Sequence, residues 1–251
     1  MSILAITGIK GGVGCTTVAA GLAAVWARQA QPVLALDLCR RNLLRLHFGQ
    51  DWSERDGWFG RLAAGDDWSE AAWRTPGGIL FVPHGASAPD EVPAALYDAR
   101  WLAGELERLA LPAACRLLLD TPGVPGPARS QAMAAADRVL VVLAPEPVSC
   151  GLLRPLEVEL RRHGIGPDRL LFVLNGFDPS RQLDRDVELL LRETLAERLA
   201  PLPVCRDEAV REALAMQQLL PDYAPYSQAV DDFLQLAAWL AVRLAAGTEG
   251  R

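Results

Sequence analysis

Short, uniformly apolar runs recur along this chain, and polar stretches with helical spacing separate them. The runs lie at 3–6 (ILAI), 32–36 (PVLAL), 79–83 (ILFVP), 116–120 (RLLLD), 139–143 (VLVVL) and 170–174 (LLFVL), with a shorter one at 202–205. None alternates polar with apolar residues, so they read as strands covered on both faces. Between them the spacing predicts helices over 18–30, 93–109, 181–199 and 225–246. Another is entered through 144–147 and runs to 163, and a further helix begins at 206. Over 93–109, Leu96, Trp101, Leu102, Leu106 and Leu109 share one face. This alternation predicts a doubly wound α/β fold, a mostly parallel sheet with helices on both faces. No linker or repeat divides residues 1–251, which predicts a single domain.

The stretch 52–78 breaks the rhythm. It is rich in tryptophan and acid and reads as short helices over one sheet edge, its tryptophans more often buried than offered to a partner. Leu43, Leu44, Leu46 and Phe48 just before it read as a buried amphipathic turn.

Composition narrows the class. With 51% hydrophobic and 22% charged residues the chain is a folded globular protein. A formal net charge of -6 argues against non-specific nucleic-acid binding, which needs a basic face. The five cysteines show no paired spacing and no neighbouring histidines, so neither a disulfide framework nor a zinc site is suggested, and a reducing cytoplasm is expected. No signal peptide is visible, and the apolar stretch 233–246 is short and interrupted by Gln235 and Arg243, so no membrane insertion is expected.

The chemistry concentrates at 3–17, ILAITGIKGGVGCTT. An apolar strand gives way to Gly8, Gly11, Gly12 and Gly14, then to two threonines opening a helix. Glycines let successive backbone N–H groups turn inward, and the helix N-terminus adds its positive end, so the segment forms an anion cradle. A phosphate loop ordinarily ends Gly-Lys-Ser/Thr. Here Cys15 holds the lysine position, while Lys10 stands at the start of the loop. Asp37 closes the second strand, where a carboxylate faces the ligand crevice. Asp120 closes another and is followed by Thr121, Pro122 and Gly123, a Walker B and switch II pattern. Its carboxylate would hold a water of the Mg²⁺ shell, and the Gly123 N–H could sense a γ-phosphate. Asn175 follows a strand and begins an Asn-Gly pair, which reads either as a ligand contact or as a turn.

The loop resembles the KGGVGKTT of the deviant Walker A family (MinD, ParA and nitrogenase-iron-protein relatives) in all but Cys15. RNLLRLHF (41–48) and RDEAVREALA (206–215) are similar to the BcsQ family, MinD-like proteins associated with bacterial cellulose synthesis. The resemblance implies a P-loop NTPase that binds ATP and Mg²⁺ and forms a face-to-face homodimer, with Lys10 reaching the partner's nucleotide. It implies nucleotide contacts from Lys10, Gly11, Gly12, Val13, Gly14, Cys15, Thr16 and Thr17, with Asn175 at the adenine and Pro203 and Asp207 walling the base. Thr16, Asp37 and Asp120 are the implied metal residues. Arg40, Arg41 and Arg45 are either solvated or flank the nucleotide or the dimer seam. The family's switch I usually reads Asp-x-Asp, its second aspartate orienting the attacking water; Cys39 stands there.

Cys15 and Cys39 together predict slow or absent hydrolysis, because neither neutral thiol replaces a lysine or a carboxylate. The function implied is a cytoplasmic accessory of the cellulose synthase secretion complex, recruited to the inner-membrane face through synthase subunits or a small regulatory partner. The alternative is a cycling ParA- or MinD-type ATPase that positions another cargo. The tail GTEGR lacks the basic amphipathic tip by which MinD binds membranes.

Overall fold

The structure is a computed structural model and describes residues 1–86 and 92–248. The first apolar run becomes β1 (Ser2–Gly8), buried along its whole length, and leads through the glycine-rich loop into α1 (Cys15–Arg28). There follow β2 (Val33–Asp37), α2 (Leu44–His47), α3 (Trp58–Ala64), β3 (Trp73–Arg74), β4 (Leu80–Val82) and α4 (Trp101–Arg108). The chain continues with β5 (Arg116–Asp120), α5 (Pro127–Ala135), β6 (Arg138–Leu143), α6 (Pro147–Arg162), β7 (Leu170–Phe177) and α7 (Gln182–Leu195). It ends with β8 (Val204–Cys205), α8 (Glu208–Ala215), α9 (Leu220–Tyr223) and α10 (Gln228–Thr248).

The strands form one sheet in the order β3-β4-β2-β5-β1-β6-β7-β8, parallel except for β3 against β4. The runs at 3–6, 32–36, 116–120, 139–143 and 170–174 therefore take the doubly wound arrangement their uniform burial requires. The order reverses about β1, between β5 and β6, so the loops at the carboxyl ends of these strands open the ligand crevice of such sheets. In the β2–β5 ladder, Asp37 pairs in register with Asp120.

Helix α1 is buried without a break from Val18 to Trp26, because α10 covers its outer side. Gly21 makes that contact possible: a Cβ there would lie 2.5 Å from the Phe233 ring.

Several sequence expectations change. The helix expected over 93–109 is a 3-10 turn (Ala94–Tyr97) followed by α4. Gln131 bridges the break, donating to the Leu96 carbonyl and accepting from the Leu102 N–H. The helix expected over 181–199 ends at Leu195, and Ala196 (φ 49°) turns the chain into a 3-10 segment. Strand β7 runs through Asn175 and Gly176, so the pair lies in a bulged strand, with Gly176 at φ 74°, and not in a turn. Helix α5, whose sequence PARSQAMAA has only a weak apolar face, was not foreseen. Trp58 and Trp68 are buried as expected, while Trp52 is 65% exposed. Of the terminal GTEGR segment, residues from 249 on lie outside the described residues.

Candidate functional site

The glycine-rich loop leaves β1 at Gly8, where a Cβ would come within 2.5 Å of the Lys10 carbonyl and 2.9 Å of Cys15 Sγ. No other residue fits there without moving the loop. Gly12 and Gly14 adopt left-handed φ of 80° and 92°. Gly14 caps α1 without a side-chain hydrogen bond, and no acidic residue occupies the first turn. The N–H groups of Cys15, Thr16 and Thr17 thus stand in the first turn, at the positive end of a 14-residue helix, which suits a polyanion. The Asn175 amide donates to the Val13 carbonyl at 2.8 Å, binding the end of β7 to the loop. Gly123 rests against the loop from the β5 side, its Cβ position 3.5 Å from Gly11.

Beneath the cradle lie two carboxylates. Asp37 and Asp120 are wholly buried at the ends of adjacent strands. Asp37 accepts the N–H of Cys39 (2.8 Å) and of Leu44 (3.1 Å), and its carbonyl takes the Trp58 indole N–H (2.7 Å). Asp120 Oδ2 accepts the Thr16 hydroxyl at 2.7 Å, while Asp120 Oδ1 has no hydrogen-bond partner. Burial pushes Asp120 up to about 7, opposed by the Thr16 hydroxyl. Asp37 is raised well above the usual carboxylate range, by burial first and by Asp120 second. Thr16, Asp120 and Asp37 are all hard oxygen donors, and with one carboxylate oxygen unsatisfied the set fits a divalent cation such as Mg²⁺.

The two positions that depart from the family pattern are thiols in this dry, acidic place. Burial raises Cys15 to about 12, with Asp120 adding to it, so Cys15 is a neutral thiol. Cys39 is raised further, by burial, then Asp120, then Asp37, and its Sγ lies 3.8 Å from the Asp120 carbonyl. Neither brings a cation or a base to the loop.

Lys10 pairs with Glu146 of the same chain at 2.9 Å. The structure brings Lys10, residues 11–17, Asn175, Asp37 and Asp120 around one crevice. One oxygen of Asp207 caps α8 through the Ala209 N–H, and the other holds the Ala229 N–H of α10. Pro203 is half-buried just before β8. Arg45 organises the loop after α2 by donating to the carbonyls of Asn42, Asp51, Trp52 and Glu54, while Arg41 is exposed. The sequence reading missed Arg129. This arginine of α5 is buried, donates to the Thr7 hydroxyl (3.2 Å) and pairs with Glu159 (2.6 Å), and its charge reaches Cys15. No sequence pattern marks it, since its helix has only a weak apolar face.

A profile of the family described as "Cellulose biosynthesis protein BcsQ" matches residues 1–241. The chain is 30% identical over 248 residues to the cellulose biosynthesis protein BcsQ of Escherichia coli K12, covering 95% of this chain and 94% of that one. It is 31% identical over 246 residues to BcsQ of Salmonella typhi, with 95% and 94% covered. Among solved structures, the septum site-determining protein MinD of Pyrococcus horikoshii, determined with Mg-ADP, matches 100% of this chain and 99% of its own, with a TM-score of 0.75. At 23% identity that likeness is one of fold.

Proposed function

The chain belongs to the BcsQ family of cellulose biosynthesis proteins, and on that premise we propose that it binds ATP with Mg²⁺, dimerises on the nucleotide and serves the bacterial cellulose synthase secretion complex, with slow or absent hydrolysis. The observation that carries the binding half is the Thr16–Asp120 hydrogen bond beside an open backbone cradle. Residues 11–17 would take the phosphates, Thr17 the α-phosphate, and Thr16 with Asp120 and Asp37 would hold the metal. The metal, when bound, screens charge between the phosphate oxygens. Support comes also from MinD of P. horikoshii, a protein of this fold determined with Mg-ADP.

The observation that carries slow hydrolysis is a half-buried thiol at both Cys15 and Cys39, each pushed up by burial and by Asp120, where the family pattern has a lysine and a carboxylate. The loss of one preorganised charge-stabilising group typically costs on the order of a hundredfold in rate. Binding suffers less, because the backbone donors remain. A long-lived nucleotide-bound homodimer suits assembly of partners, here synthase subunits or a small regulatory protein, at the cytoplasmic face of the inner membrane. No helix among the described residues is long and apolar enough to cross a membrane. A cycling ATPase that positions another cargo is the second reading. Two cations that remain near the loop, Lys10 and the buried Arg129, favour it.

The deciding experiment identifies the nucleotide in purified protein and then follows its single-turnover hydrolysis, alone and with synthase subunits. A retained triphosphate and a Cys15→Lys, Cys39→Asp double variant that is clearly faster are expected. A parent that turns over at rates ordinary for ParA-type enzymes, with the double variant no faster, rejects the slow-hydrolysis reading.

A further inference from the structure

A cavity of about 460 Å³ lies between α4 and the chain from 62 to 69, where α3 ends and a 3-10 turn (Trp68–Ala71) begins. That volume is within the range of ligand sites. None of its lining residues belongs to the loop 10–17 or to the acids of the crevice. Two indoles form a corner of its wall: Trp68 and Trp101 meet with ring centroids 6.2 Å apart and planes at 64°. Trp68 is buried and Trp101 half-buried. The buried Trp58 packs against Trp101 at 6.3 Å, and its own N–H is tied to the Asp37 carbonyl, so the corner is held from within the core.

Three carboxylates, Asp66, Asp67 and Glu105, line the same cavity, with Arg108 as the one cation among the lining residues. The Ser69 hydroxyl and N–H both donate to Asp67 Oδ1 and hold its carboxyl below the usual carboxylate range. Acidic residues alone do not make a site. Here the chain itself shows which group the cavity takes. Glu105 Oε2 accepts the Trp68 indole N–H at 2.9 Å, which orients the carboxylate, and Oε1 accepts from the Arg108 guanidinium. Arg108 stands three residues along the same helix and its side chain is 77% exposed, so this pair is weak and readily exchanged.

The wall chemistry selects the incoming group. A guanidinium is flat, stacks on an indole and meets a carboxylate with two parallel N–H groups, whereas an ammonium is a strongly hydrated point charge. The cavity exceeds one guanidinium and its stem, which leaves room for the main chain on either side. The net charge of -6 draws basic segments toward the chain.

We propose that this cavity receives an arginine side chain from a segment of a partner protein, its guanidinium stacked in the Trp68–Trp101 corner and paired with Glu105 in place of Arg108. The inference is independent of the nucleotide reading, since no residue is shared with that crevice.

The probe is the capped pentapeptide Ala-Ala-Arg-Ala-Ala, titrated into full-length protein carrying fluorotryptophan. The seven tryptophan ¹⁹F signals are assigned by single Phe replacements. Saturable shifts are expected at Trp68 and Trp101, with Trp26 and Trp239 unmoved. The same peptide with neutral citrulline binds about tenfold more weakly, and the lysine peptide also binds more weakly. Glu105→Gln, which keeps an acceptor for the Trp68 N–H, weakens binding about tenfold. Arg108→Ala removes the internal competitor and tightens binding about two- to fivefold. Circular dichroism checks the fold of each variant. Glu157→Gln, which breaks an acid–arginine pair outside the cavity, leaves the affinity unchanged. Absence of shifts at both indoles, equal binding of the citrulline or lysine peptide, or Arg108→Ala binding no tighter than the parent overturns the proposal. Free L-arginine brings its own carboxylate to an acidic rim and is expected to bind more weakly than the peptide. Tighter binding of the free amino acid would make the cavity a small-molecule site and reject the protein partner.

Discussion

Lys10 Nζ lies 2.9 Å from Glu146 Oε1, so the lysine expected to reach across a dimer is held within its own chain. Both side chains are more than a third exposed, and pairs of that kind contribute little, about 0–1 kcal/mol. The contact is easily exchanged for triphosphate, which offers more charge. Lys10→Ala is expected to stay monomeric in ATP by light scattering, and Glu146→Gln to dimerise at lower protein concentration than the parent. Dimerisation of Lys10→Ala equal to the parent's would reject the crossing lysine.

Thr16 joins the loop to Asp120, so its replacement acts on both phosphate and metal. Thr16→Leu removes the hydroxyl and places an apolar side chain against a buried acid. The purified variant is expected to carry no nucleotide and to show no Mg-ATP binding in a filter assay. Retention equal to the parent's would refute the metal assignment.

Gly21 meets the Phe233 ring where α1 and α10 cross. Gly21→Ala is overpacked and is expected to lose about 1–3 kcal/mol by urea denaturation. In the double variant with Phe233→Leu the smaller side chain leaves room, and part of that loss returns. If the two substitutions simply add, the contact is not what makes glycine necessary.

His84 makes the stability of the chain acid-sensitive. It is buried, stacked on Phe59 at 4.8 Å and edge-on to Trp58 at 5.2 Å, with Nδ1 3.1 Å from the Gly85 carbonyl. Burial first, and Arg40 with it, lowers its pKa from 6.5 to about 4. A histidine with a depressed folded-state pKa binds its proton more readily when unfolded. Its contribution is present above 6.5 and lost as pH falls toward 4. Between pH 7 and pH 5 the loss from His84 is about 2 kcal/mol. His84→Phe is expected to lose less over this interval, read as urea midpoints at the two pH values. An unchanged pH dependence would place the acid sensitivity elsewhere, with His47, which burial also lowers to about 4, as the next site.

The resemblance to cellulose-associated proteins is tested in the cell. Deleting this chain is expected to reduce cellulose output or its spatial control while the synthase remains present. Normal cellulose with a chromosome-partition defect would favour the cycling reading.

Much of this crevice was legible beforehand because it is built from strand ends. Asp37 and Asp120 terminate apolar runs, and glycines at 8, 11, 12 and 14 mark the loop that leaves the next strand, β1. What escaped depends on side chains meeting across the chain. Thr7 and Arg129 are 122 positions apart, and no local pattern foretells their hydrogen bond. Asp207 fits the expectation of an acidic residue at a helix start, yet its second oxygen is taken by α10, which only the packing reveals. The Asn175–Gly176 pair reads as a turn in the sequence because the apolar run does not show the bulge through which β7 extends.

Asp37 and Asp120 occupy paired positions of adjacent parallel strands, so their separation is a rung of the sheet. Rung spacing is set by main-chain hydrogen bonds at about 4.8 Å and does not depend on which side chains the rung carries. Cys39, whose Sγ lies against the Asp120 carbonyl, stands in a loop outside that ladder. A descendant could exchange the thiol for a carboxylate, or the reverse, without altering the ruler on which the other two are mounted. The charge of this crevice is therefore open to change by a single substitution, while the scaffold that measures the distance is inherited intact.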